Sequence, residues 1–165
     1  MNFRLELKVG RIVEAWLHPD ANSLYIEKVD LGETYPRTVI SSLVNVVPLD
    51  ELQGRIAIFA SNLKPQKMRG VLSEAMIICA ETNDKSQCEI LEPPKDAIPG
   101  DVVTVEGFDT LEYAGSPPLI KTKVFQTIAK DLAINEVGEA TYKNIAWKIR
   151  GQSCVTKSLK NTPIS

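Results

Sequence analysis

Ile56-Ala57-Ile58-Phe59-Ala60-Ser61-Asn62-Leu63-Lys64-Pro65-Gln66-Lys67-Met68-Arg69-Gly70-Val71 passes from an unbroken apolar run into a stiff, positively charged turn. Residues 55–60 read as a strand, and Pro65 and Gly70 punctuate the segment after it. Three cations, Lys64, Lys67 and Arg69, fall within six residues, and no acid occurs from Leu52 to Ser73. A strand ending in such a turn fixes cations at a sheet edge, an arrangement suited to meeting phosphates. A solvated lysine-rich hairpin is the equally open alternative.

Outward from this stretch the first hundred residues read as short strands between turn signals. Leu5, Leu7 and Val9 alternate with charged residues and are followed by Gly10, where a tightly curved strand would need a missing side chain. Residues 25–31 form a second alternating run closed by Gly32. Residues 37–41 are β-branched and follow Tyr35-Pro36, which disfavours helix. Residues 75–80 and 101–105 add further strands, while 20–24 read as a capped turn and 45–52 as a short helix. Strands of four to seven residues spaced in this way predict a small β-barrel. After about residue 110 the texture changes. A loop at 113–118 precedes a helix over 124–132, with Val124, Ile128 and Leu132 on one face, and strands come next at 142–149 and 154–155. The expected division is a barrel over 1–112 and a second module over 113–165.

The chain has 165 residues, enough for one domain with a sound core plus an appendage. No apolar run nears the roughly 20 residues that span a bilayer. No secretory h-region is present, so a cytoplasmic protein is expected. Cys79, Cys88 and Cys154 form no CxxC pair and His18 is the single histidine, which argues against zinc; the residues call for no metal or cofactor. Catalysis has little to use. His18-Pro19-Asp20 reads better as a turn contact than as a base with its orienting carboxylate. The net charge of −2 conceals segregation: residues 81–112 hold nine acids against two lysines, and 140–165 hold five cations and no acid. Binding answers to the local field, so a basic face on a mildly acidic chain is possible.

Five spaced blocks resemble one family. They are Leu7-Lys8-Val9-Gly10-Arg11-Ile12, His18-Pro19-Asp20-Ala21-Asn22-Ser23-Leu24-Tyr25, Gly32-Glu33-Thr34-Tyr35-Pro36-Arg37-Thr38-Val39, Leu43-Val44-Asn45-Val46-Val47-Pro48, and the cationic block from Asn62 to Ser73. The chain is similar to the EMAP II-type tRNA-binding domain, found in the endothelial monocyte-activating polypeptide II precursor and at the C-termini of some tyrosyl-, methionyl- and lysyl-tRNA synthetases. The resemblance implies an OB-fold barrel that binds the outer corner of tRNA by shape, without reading an anticodon. It implies that Lys64, Lys67 and Arg69 contact phosphate, that Asn62, Ser73 and Met76 line the same face, and that Arg37 adds to it. Arg37 as a structural ion pair, Ser73 as a turn residue and Met76 as core are the competing readings.

The second module, by the same resemblance, packs on the barrel in place of a dimer partner, which implies a monomer. Its basic window would extend the RNA surface or form a solvated face. The implied partners are tRNA and an aminoacyl-tRNA synthetase, fused or associated, with no enzyme activity of the module's own. A cytokine-like or protein-interaction module is the alternative function. Two departures stand out. Ser42 occupies a position where glycine is common, and a dense lysine run before the late helix is thinned to Lys121-Thr122-Lys123. In the segment tied to cytokine signalling, Glu14 replaces an uncharged threonine, which argues against signalling here.

Overall fold

The computed structural model describes residues 3–108 and 117–165. Its first part contains β1 (Leu7–Leu17), β2 (Tyr25–Asp30), β3 (Arg37–Ser41), the single-turn helix α1 (Leu49–Leu52) and β4 (Ile56–Ala60). Next come β5 (Gln66–Met68), β6 (Val71–Ser73), β7 (Met76–Ile77), β8 (Cys79–Glu81), β9 (Cys88–Ile90) and β10 (Thr104–Val105). The second part contains α2 (Thr122–Ala129), β11 (Leu132–Ile134), β12 (Ala140–Tyr142), β13 (Ile145–Ile149), β14 (Gln152–Ser153) and β15 (Thr162–Pro163).

An antiparallel sheet in the order β3-β2-β1-β4-β7 curls into the expected barrel. Strand β1 serves both halves, pairing β4 along Leu7 to Arg11 and β2 along Arg11 to Leu17, with a bulge at Val13 within the β2-paired stretch. A bulge increases local twist, and Gly10 removes the side chain that would block the bend. A Cβ on Gly10 would sit 2.7 Å from Val29 Cγ1 and 2.8 Å from Phe59 Cδ1, closer than packed carbons approach. The sequence pattern is therefore a packing requirement: alternate residues Ile12, Val29, Val39, Ala57 and Phe59 fill the barrel interior.

A second core spans both parts. Leu5, Leu7, Ile58, Ile78 and Leu91 pack with Phe125, Leu132, Trp147, Ile149 and Ile164 in one buried cluster. Backbone pairing reinforces it. Strand β10 joins β13 in a six-stranded sheet, Leu63 bridges Ile120, and Glu92 exchanges hydrogen bonds with Val155. The boundary expected at 112–118 falls largely outside the described residues.

Several expectations need correction: the short helix expected at 45–52 is confined to Leu49–Leu52, and in place of a strand at 154–155 the ladder runs at Gln152–Ser153. Residues 142–149 are not one strand: Tyr142 pairs with Ile145 across a two-residue turn, Lys143-Asn144, both with positive φ. That is a type I′ hairpin, whose twist matches its strands. The helix ends at Ala129, and Leu132, which continues the helical period, lies instead in β11 opposite Tyr142. The run 75–80 also divides at Ile78, passing from β7 to β8.

One barrel residue is unusual. Glu27 on β2 is fully buried, accepts a hydrogen bond from the Ser41 hydroxyl and leaves Oε1 with no partner among the described residues. Burial pushes its carboxyl up to about 7, against the partial offset of the Ser41 bond. In the unfolded chain it titrates near 4.5. Between these values the native state keeps a proton that the unfolded state releases, so stability is highest below the interval and declines through it. The loss at neutral and higher pH is of the order of 3 kcal/mol. Glu27→Gln keeps the bond from Ser41 and removes the charge. Thermal melts across this interval should show a flatter profile for the variant and a higher melting temperature above about pH 7.

Candidate nucleic-acid interface

The cationic block folds as the β5–β6 hairpin. Gln66 pairs with Ser73, Lys67 with Leu72 and Met68 with Val71, leaving Arg69-Gly70 as a two-residue loop. Arg69 at φ 53° and Gly70 at φ 86° make a type I′ turn, and the glycine tolerates the second left-handed position at no steric cost. Alternation then sorts the side chains. Met68 and Val71 pack onto Leu24, Ile26 and Ile40 on the outside of the barrel, while Lys67 and Leu72 take the opposite face.

Buried hydrogen bonds lock this hairpin to the barrel. Ser73 Oγ accepts from the Ile40 N–H at 2.9 Å and donates to the Ala75 carbonyl at 2.9 Å. His18 Nδ1 accepts from the Asp20 N–H at 3.0 Å, which leaves the proton on Nε2 to donate to the Met68 carbonyl at 3.2 Å. The only histidine is thus a strut of the hairpin, with both nitrogens used. The turn reading of His18-Pro19-Asp20 describes its geometry.

Arg37 is committed as well. Its Nε and Nη2 form a fork on the Glu33 carboxylate at 2.8 and 2.6 Å, and Nη1 donates to the carbonyls of Ser61 and Glu74 at 2.6 and 3.1 Å. Burial opposes ionisation of Glu33, but the Arg37 bonds and the charges of Arg37 and Lys8 outweigh it and hold the carboxyl below its ordinary range. Asn62 is 1% exposed. Its Oδ1 accepts from the Glu6 N–H and its Nδ2 donates to the carbonyls of Arg4 and Pro118. Ser73 therefore ties the hairpin to β3, Asn62 is buried against the N-terminal segment and Pro118, and Arg37 holds the carbonyls of Ser61 and Glu74 on either side of the hairpin. For Arg37 the structure gives the ion-pair reading. Met76 is half-buried on β7, between the barrel and the second core.

Lys64, Lys67 and Arg69 remain exposed and take part in no ion pair among the described residues. Arg69 makes one long bond, 3.4 Å, to the Asp20 carbonyl. The second part adds to this face. The Lys64 N–H donates to the Ile120 carbonyl at 2.9 Å and Gln66 Nε2 donates to Thr122 Oγ1, so exposed Lys121 and Lys123 stand beside the hairpin. The sequence places these lysines before the late helix, but gives no sign that they stand next to β5. The bond that brings them there joins residues 56 apart in the chain.

The basic window 140–165 is different in kind. Lys143 lies over the rings of Tyr142 and Phe108 at 5.5 and 5.9 Å, Lys148 donates to Ser153 Oγ, and Arg150 pairs with Asp101 at 2.9 Å. Only Lys157 and Lys160 of its five cations are both exposed and without a side-chain partner among the described residues. The cysteines are all free. Burial pushes the Cys154 thiol up to about 12, so it is inert. Among the described residues no three potential metal ligands are gathered, and no helix is long and apolar enough to cross a membrane.

Comparison with known proteins agrees with this architecture. Residues 7–102 match the family described as the putative tRNA binding domain. The aminoacyl tRNA synthase complex-interacting multifunctional protein 1 of Cricetulus griseus is 46% identical over 162 residues, covering 98% of this chain and 44% of its own length. The cytoplasmic tyrosine–tRNA ligase of Gallus gallus is 44% identical over 168 residues, covering 98% and 31%. The chain thus spans less than half the length of these relatives. Among solved structures, the C-terminal domain of Plasmodium vivax p43 superposes with a TM-score of 0.83 at 28% identity, covering 98% of this chain and 97% of that one. On both sequence and fold, the chain belongs to the putative tRNA binding domain family, with relatives in this synthetase-complex protein and in cytoplasmic tyrosine– and methionine–tRNA ligases.

Proposed function

We propose that the protein is a non-catalytic module that binds the folded shape of tRNA and raises tRNA affinity for an aminoacyl-tRNA synthetase, fused or associated. The observation that carries this reading is the hairpin and the segment leading into it: three exposed cations in no ion pair among the described residues, Lys64 just before β5, Lys67 on it and Arg69 in the turn, with the hairpin locked by buried bonds at Ser73 and His18. Phosphates meet fixed charge there, and little of the interaction free energy is lost in ordering the loop. Lys64, Lys67 and Arg69 make the contacts, with Met76 at the edge of the same face and Arg37, Asn62 and Ser73 holding the geometry. The barrel at 1–112 carries the site and the module at 113–165 covers its apolar flank, which fits a cytoplasmic monomer. Tethering such a weak binder beside a synthetase raises local tRNA concentration without new specificity.

Competition among several unrelated tRNAs and an unstructured single strand tests this. The tRNAs should fall within about 1.4 kcal/mol, tenfold in affinity, and the unstructured strand should compete poorly. A strong preference for one anticodon contradicts reading by shape.

A further inference from the structure

Beside the cationic hairpin, where the barrel meets α2, lies a cavity of about 320 Å³. This is at the lower end of the roughly 300–1,000 Å³ range of small-molecule sites, the scale of a single nucleotide. Its walls are apolar and pliable: Leu43, Leu63, Met68, Met76 and Phe125, with Lys64 among the lining residues. We infer that this cavity receives one unpaired nucleobase of the bound RNA, whose own phosphate is held by Lys64. The inference rests on the tRNA-binding reading above.

Two features single out a base. The first is charge: Lys64 belongs both to the cavity lining and to the exposed cations of the hairpin, so the cavity continues the phosphate-tracking surface without a break. A polyanion whose backbone crosses Lys64 and Lys67 brings its bases within reach of the opening, and thioether and aromatic walls stack on the face of any base. The second is the state of the polar lining. Ser73 Oγ is saturated by Ile40 and Ala75, Gln66 Nε2 is given to Thr122, and Ser41 is given to Glu27. These three groups have few donors or acceptors left with which to read a base edge, and of the remaining lining Glu81 keeps a carboxylate that can accept from a base amino group. With most of these polar groups engaged, the pocket holds a base chiefly by its faces and discriminates little among the four, which suits a module that serves many tRNAs.

The test monitors the methionine methyl resonances of Met68 and Met76 in the intact chain. AMP, CMP, GMP and UMP should each shift both methyls, with affinities within about tenfold of one another, whereas ribose 5-phosphate should leave them in place. Ser42 is exposed at the cavity's edge, so Ser42→Trp should block the opening without disturbing the core. It should abolish the mononucleotide shifts and lower tRNA affinity by roughly tenfold, the scale of a single base stacked on an aromatic ring. Ser42→Ala, which removes the hydroxyl without adding bulk, should change neither. Methyls that ignore all four mononucleotides, in a chain that still binds tRNA, overturn the pocket and leave the hairpin reading standing. An apolar peptide that shifts them when nucleotides do not also overturns it, in favour of a protein ligand. A wild-type chain that fails to bind tRNA overturns both.

Discussion

Replacing Lys64 and Lys67 together by glutamate lowers tRNA affinity by on the order of 100-fold or more at moderate salt, with an unchanged melting curve. Both side chains are exposed and neither is in an ion pair among the described residues, so their reversal leaves the native packing intact. What holds the hairpin lies elsewhere, in Met68 and Val71 against the barrel and in the bonds to Ser73 and His18. On the proposed reading two phosphate contacts become repulsive, and repulsion from a segment held against the barrel cannot be relaxed by moving the chain. Electrophoretic or anisotropy titration beside a thermal melt separates the two quantities. Wild-type affinity with a normal melt would remove the hairpin from the site.

Removing residues 113–165 has a comparably large effect, on assembly rather than on charge. Leu5, Leu7, Ile58, Ile78 and Leu91 share their cluster with Phe125, Trp147, Ile149 and Ile164, and the cut bares that face to water. It also strands polar groups: the Lys64 N–H loses the Ile120 carbonyl, Asn62 loses Pro118, and Cys79 loses both backbone bonds to Ser165. A contiguous apolar patch edged by unpaired backbone favours self-association. Sedimentation should find the full chain monomeric and the truncated chain associated or aggregated. A soluble, monomeric truncation that melts like the full chain would show that the second module does not cap the barrel.

Strands β2, β3 and β4 are legible in the sequence because, apart from the buried Glu27–Ser41 pair, their apolar residues match their burial and they lie beside turn residues whose backbone preference is strong. The β5–β6 hairpin is legible as a charged turn but less so as a ladder, since Gln66 and Lys67 are exposed and carry no apolar alternation. Lys143-Asn144 hides a hairpin within 142–149 because it holds two left-handed positions without a glycine. Leu132 keeps the helical period of Val124 and Ile128, yet pairing with Tyr142 places it in a strand; tertiary contact overrides local pattern.

The site divides in the same way. Its cations can be named from composition because solvated charge needs no partner. The supporting role of Asn62, Ser73 and Arg37 cannot, because it depends on carbonyls and amides brought close only by the fold. Asn62, for example, bonds to Glu6 and Pro118, each 56 residues away. A polar residue's type says what it can bond, and only the fold says whether those bonds are already made.

The salt dependence of tRNA binding tests the central claim most directly. Neutralising Lys64 and Lys67 as K64Q/K67Q removes two phosphate contacts without introducing repulsion. The slope of log affinity against log salt should flatten by about 1.5–2 relative to the wild-type chain, because close to one counterion is released for each phosphate a lysine neutralises. Parallel lines for the two proteins, with affinity equal across the salt series, would contradict phosphate binding at this hairpin.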